Sequence, residues 1–155
     1  MIRVTEINSL RDLEGLRTVW GDLLNVTPGA TFFQTHEWLQ AFWQHYGVGD
    51  AAGRSAEIST SAASENGRSA GNEIAASGRP ERLRVLLIEA DGEPLGILPL
   101  LVSSEAYRVG TMRVLGYPLA GWGSFYGPIG PHPTATLRAG LDYIRSAPRD
   151  CASVR

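Results

Sequence analysis

The sequence predicts an α/β (α+β) domain, a mixed sheet flanked by helices. Three observations predict it. The first residues alternate apolar and polar, two amphipathic helical segments follow, and a long apolar run folds back on itself at Asp91-Gly92. At 155 residues the chain has the length of one ordinary domain with a real core.

Ile2-Arg3-Val4-Thr5-Glu6-Ile7 has the period of a half-buried strand. Ser9, with Asp12 three residues on, reads as a helix start. Leu10, Leu13, Leu16, Trp20, Leu23 and Leu24 continue at helical spacing until Pro28-Gly29 breaks the pattern. A second helix is predicted from Thr35 to Tyr46, with Thr35 as cap and Glu37 in the positive first turn. Its Trp38, Leu39, Phe42, Trp43 and Tyr46 form an aromatic face that reads as core. Gly47 ends it.

Residues 50–80 are mostly Ala, Ser and Gly, with no aromatic residue and only Ile58 and Ile74 as large aliphatics. Such a stretch cannot bury enough surface to offset its ordering entropy, so it reads as a disordered low-complexity insertion. It separates residues 1–49, a strand and two helices, from residues 81–155, a hairpin, strand and helix.

Leu83 to Ala90 is apolar on both faces and reads as a central strand. Asp91-Gly92 is a hairpin signal, and Leu95 to Val102 is the partner strand. Pro99 removes a ladder donor, so a bulge or a locally free flank is expected there. Thr111 to Leu115 is a further short strand, followed by a loop rich in Gly, Pro and aromatics from Gly116 to Pro133. Thr134 is the expected cap of a last helix with Leu137, Leu141 and Ile144 on its apolar face. Arg149 to Arg155 reads as too short and polar to return to the sheet, so a C-terminally incomplete fold is expected.

Composition excludes several functions. The net charge of −2 argues against a nucleic-acid partner. All 14 basic residues are Arg, so a Schiff-base or P-loop lysine is impossible. The single Cys151 excludes a disulfide framework and a Cys-rich zinc site. The run Leu95 to Val102 is too short to span a bilayer, and no signal peptide is evident. A cytoplasmic protein with no membrane span is the expectation.

The residues resemble a known family. Phe33 through Trp43 is similar to the F-x-x-x-x-W-L-x-x-(F/W)-W signature of the GNAT acyltransferase branch associated with cellulose biosynthesis. Asp91-Gly92-Glu93-Pro94-Leu95-Gly96-Ile97-Leu98-Pro99-Leu100 resembles that branch's hairpin, and Arg113-Val114-Leu115-Gly116 resembles its next strand. The blocks stand in the family's order over most of residues 10–117. The branch is itself similar to Fem-type aminoacyltransferases. The resemblance implies acyl transfer from acetyl-CoA or another acyl-CoA to an amine, with direct attack on the thioester and catalysis by positioning and carbonyl polarisation. It also implies a pyrophosphate held where a strand meets a helix N-terminus, on a (Q/R)-x-x-G-x-(G/A) loop. No such loop lies between Thr111 and Thr134, and Arg68-Ser69-Ala70-Gly71-Asn72-Glu73 fails at its last position. The chain therefore resembles the N-terminal, cofactor-poor half, whose partner would be a second GNAT-like unit.

Four residues are candidates for contact with a small-molecule, glycan or cell-envelope acceptor. His36-Glu37 begins like a zinc helix, but Gln40 stands where the second histidine is needed, so no metal is expected. His36 and Glu37 then either open a helix or face a substrate cleft. Trp122 and Tyr126, in Gly121 to Gly127, offer flat faces and a polar handle, or staple the loop to the sheet. A non-catalytic glycan-binding module and a pairing domain remain the alternatives to an enzyme.

Overall fold

The computed structural model describes residues 1–47, 79–108, 110–118, 127–147 and 153–154. A five-stranded sheet in sequential order carries helices on both faces. The elements are β1 (Ile2–Ile7), α1 (Leu10–Glu14), α2 (Arg17–Asn25), a 3-10 turn (Phe32–Gln34), α3 (His36–Tyr46), β2 (Arg79–Ala90), β3 (Glu93–Tyr107), β4 (Gly110–Gly116), α4 (Pro133–Ser146) and β5 (Ser153–Val154). The fold is thus mixed α and β, as the sequence predicts. Strands β1 to β4 are antiparallel, and β5 lies parallel to β4 after the α4 crossover.

Alternation along β2 and β3 sorts the core into two layers. Leu83, Val85, Leu87, Ile97 and Leu101 face α1, α2 and α3, meeting Leu13, Trp20, Leu23, Leu39, Phe42 and Trp43. Leu86, Ile88, Leu98, Leu100, Val102 and Leu115 face α4, meeting Ala139, Tyr143 and Ile144. A strand buried on both faces must be apolar throughout, which is why the β2 sequence does not alternate.

Several expectations change. The single helix expected from Leu10 is two: α1 ends at Gly15, and α2 restarts at Arg17 with Leu16 as its N-cap. Ser9 and Thr35 do cap as expected, accepting from Asp12 N–H at 3.1 Å and Trp38 N–H at 3.2 Å. Strand β2 begins at Arg79, inside the span assigned to the insertion. Residues 48–78 otherwise lie outside the described residues, as do Cys151 and residues 119–126 of the Gly116 to Pro133 loop.

Helix α4 starts two residues earlier than expected, at Pro133, with His132 as N-cap in place of Thr134. Its inward face is Thr136 and Gly140, both buried, while Leu137 is 39% exposed. Small residues win that face because the helix sits so low on β3. A Cβ on Gly140 would collide with Leu98, and one on Gly96 would collide with Thr136. The expectation that the tail fails to rejoin the sheet is also corrected: Ser153 and Val154 pair with Val114 and Leu115.

Candidate functional site

The strand-to-helix junction between β4 and α4 is where the sheet opens. β3 and β4 pair from Tyr107–Gly110 to Leu101–Gly116 and no further. Continued by two residues, the same register would set Pro99 opposite Pro118. Neither proline has an N–H, so the ladder cannot extend. Pro99 itself stays in register with Val85, and the β2–β3 shifts lie between Pro80 and Arg82 and between Ile88 and Glu89. The expected bulge is therefore absent, and the free flank is present. The chain returns to β3 at Ile129, which exchanges two 2.8 Å backbone hydrogen bonds with Ile97.

The return segment is tied down on all sides. Gly130 N–H donates to Thr27 Oγ1 at 2.7 Å, and Thr27 in turn donates to Leu23 C=O at 2.7 Å. Gly130 has φ of +131°, and a Cβ there would stand 2.7 Å from Leu95 C=O, so only glycine fits. Gly127 lies over the Gln34 side-chain amide. Gln34 Oε1 accepts from Thr31 N–H at 3.0 Å, and Gln34 C=O accepts the Trp20 indole N–H at 2.8 Å. The junction, the 3-10 turn and the end of α2 thus form one braced corner.

These ties decide what the corner can hold. A pyrophosphate cradle needs several convergent N–H groups ahead of the helix. Across 128–133 three residues are proline, Ile129 N–H is given to Ile97, and Gly130 N–H is given to Thr27. Pro133 occupies the first helical position, and Thr136 N–H is bonded to His132 C=O at 3.0 Å. Among the described residues of the junction, the N–H groups of Ile129, Gly130 and Thr136 are thus already engaged within the chain.

The predicted contact residues separate. His36 is 3% exposed, inside the core. Its Nε2 lies 3.0 Å from Leu13 C=O, and its ring meets Trp20 edge-on at 5.7 Å. A carbonyl only accepts, so Nε2 carries the proton, and Nδ1 is a buried acceptor without a partner. Glu37 points to solvent and pairs with Arg17 at 2.9 Å, while Arg17 also holds Glu14 at 2.8 Å. The Glu37 backbone N–H holds its carboxyl below the usual range, with Arg17 adding to the effect. His36 and Glu37 therefore do not share a cleft. Trp122 and Tyr126 lie outside the described residues.

The aromatic face of α3 continues as a ladder from Phe32 through Phe33, Trp38 and Phe42 to Tyr46, with centroid spacings of 5.2 to 5.8 Å. Trp38 and Phe42 stack on one another, and the other contacts are edge or tilted. Ring faces spent on neighbours do not make a sugar platform. Phe42 and Trp43 are core as expected, but Tyr46 is 42% exposed and Phe32 66%.

One cluster escaped the sequence. Glu6 accepts from Arg82 at 2.6 Å, from Arg84 at 3.2 Å and from the Tyr143 hydroxyl at 3.2 Å. Arg84 is buried on the α4 face of the sheet. The signal was present: alternation puts Glu6 on the face of Val4, and Arg84 interrupts an apolar strand. Burial, and then Glu6, raise the Tyr143 phenol above its ordinary range. The cluster ties β1, β2 and α4 together.

Among the described residues no group of three His, Cys, Asp or Glu could hold a metal ion, and no helix is long and apolar enough to cross a membrane. No family model, curated protein or solved structure matches the chain.

Proposed function

We propose that the chain is a cofactor-free unit of a GNAT-type N-acyltransferase, a scaffold for acyl-CoA-dependent transfer to an amine. The observation that carries this reading is the β4–α4–β5 crossover on an otherwise antiparallel sheet. It supplies the strand–loop–helix junction at which such an enzyme would hold its phosphates. The sequence blocks of α3, the Asp91 hairpin and β4 support the same reading, since the hairpin and β4 share this sheet and α3 packs on it.

The three prolines at 128–133 and the engaged N–H groups of Ile129 and Gly130 support the cofactor-free part of this reading. A second unit supplies the phosphate-binding loop, and this one contributes framework and acceptor-side surface. Calorimetric titration of acetyl-CoA into the purified chain tests the point, with no saturable heat expected. Micromolar binding would overturn the cofactor-free reading. An experimental structure without β5 parallel to β4 would overturn the GNAT reading as a whole.

A further inference from the structure

The sheet has one edge and one adjoining groove that fit each other's copies. Strand β1 is an edge. Among the described residues it pairs only with β2, in unbroken register from Ile2 to Ile7. It carries no proline or bulge, and of its two charges, Arg3 pairs loosely with Glu89 while the inward-facing Glu6 is neutralised by Arg82 and Arg84. Beside it, on the α4 face, runs an open groove of about 540 Å3. Its floor is Ile2, Val4 and Leu95, and its wall is one stripe of α4 that includes Arg138 and Asp142. Ile2 is 54% exposed.

The charges on that wall are self-complementary. Among the described residues Arg138 makes no hydrogen bond or ion pair, and Asp142 makes only a solvent-exposed contact with Arg145 at 3.5 Å. The level of the helix over the strand is fixed at two points. Thr136 stands over Gly96, which lies in line with Ile88 and Val4. Tyr143 reaches Glu6. Thr5 is therefore level with the middle of α4, between Arg138 and Asp142.

We propose that a second copy of this chain pairs with the first through β1, about a two-fold axis normal to the sheet at Thr5. Such an axis sets β1 antiparallel to its counterpart and keeps like faces together, because Thr5 opposes itself. The same rotation sets the two α4 helices antiparallel over the junction. It brings each Arg138 opposite the other copy's Asp142, and it joins the two grooves over a continuous sheet. The coincidence carries the argument: the axis that closes the strand edge is the axis that pairs the charges. It stands independently of the acyl-transfer reading.

Sedimentation equilibrium on the full chain and three charge variants tests it. The wild-type chain is expected to dimerise. Arg138→Asp and Asp142→Arg should each weaken the dimer at least tenfold, because both symmetric pairs become repulsions. The double exchange should restore it. Both sites are exposed, so the variants should fold, and circular dichroism verifies that. A monomer at all concentrations overturns the proposal, as does a dimer indifferent to the single changes or one not rescued by the double. A monomer that takes up laurate saturably, with loss of uptake in Arg138→Asp, overturns it in favour of a small amphipathic ligand.

Discussion

Gly96 on β3 lies directly under Thr136 on α4, with no room for a methyl group between them. The same missing Cβ would stand 2.7 Å from Ile129 C=O, the acceptor for Ile97 N–H. Gly96→Ala must therefore lift the first turn of α4 and strain the Ile97–Ile129 bridge together. We expect a loss of about 2–4 kcal/mol in urea unfolding. Gly21 provides the opposite sign. It sits inside α2 with nothing near its missing Cβ, so Gly21→Ala should stabilise by about 0.5–1 kcal/mol.

That contact also explains what sequence reading could and could not reach. The hairpin at Asp91-Gly92, the Thr35 cap and the strand β1 are local events, governed by φ at two turn residues, one hydroxyl and a two-residue alternation. Each was legible. The inward face of α4 was not, because periodicity favours the largest apolar side chains, Leu137 and Leu141, whereas packing depth over Gly96 favours the smallest. The opening at Pro99 was half legible. One proline announces a missing donor, but its partner Pro118 emerges only from the register of another strand. The Glu6 cluster joins residues more than 70 positions apart, a pairing that only the fold creates. His36 was singled out by the zinc-helix-like start His36-Glu37, whereas its burial beside Leu13 and Trp20 depends on how α1 and α2 pack over it.

Tyr117 sets an alkaline limit on stability. Burial pushes its phenol up to about 12, against an ordinary value near 10. The favoured form in the fold is the neutral one, so its contribution is complete below pH 10 and is lost as the pH rises towards 12. Tyr143 is raised as well and acts in the same direction. Stability should fall by about 2–3 kcal/mol between pH 10 and 12 on account of Tyr117. Denaturant midpoints across that range measure the fall, and Tyr117→Phe should flatten it.

Glu6 anchors three side chains from two other elements. Glu6→Gln removes the carboxylate charge that lies 3.2 Å from the buried Arg84 guanidinium. We expect a cost of about 3–5 kcal/mol, beyond that of any surface pair such as Arg17–Glu37. Tyr143→Phe removes only one hydroxyl from the same carboxylate and should cost about 1 kcal/mol. Thermal unfolding of the two variants side by side checks the ratio. Equal effects would mean that the cluster draws its stability from the hydroxyl rather than from the ion pairs.

His36 is a fastener between α3 and α1. Its Nε2–H closes on Leu13 C=O, a carbonyl near the end of α1, and its ring fills the space beside Trp20. His36→Ala removes the donor and opens a cavity under α1, so a loss of about 2–4 kcal/mol is expected. His36→Gln can place an amide N–H where Nε2 was and so keep the bond to Leu13 C=O, its amide oxygen replacing the ring nitrogen as the second polar atom. It should therefore lose less, about 1 kcal/mol. Urea midpoints measure both, and amide exchange locates the effect. Protection should fall first in α1, a five-residue helix with Leu13 as its one buried side chain, whose last turn this bond ties to α3. A His36→Ala chain with unchanged stability would return the imidazole to the list of groups free to serve a ligand.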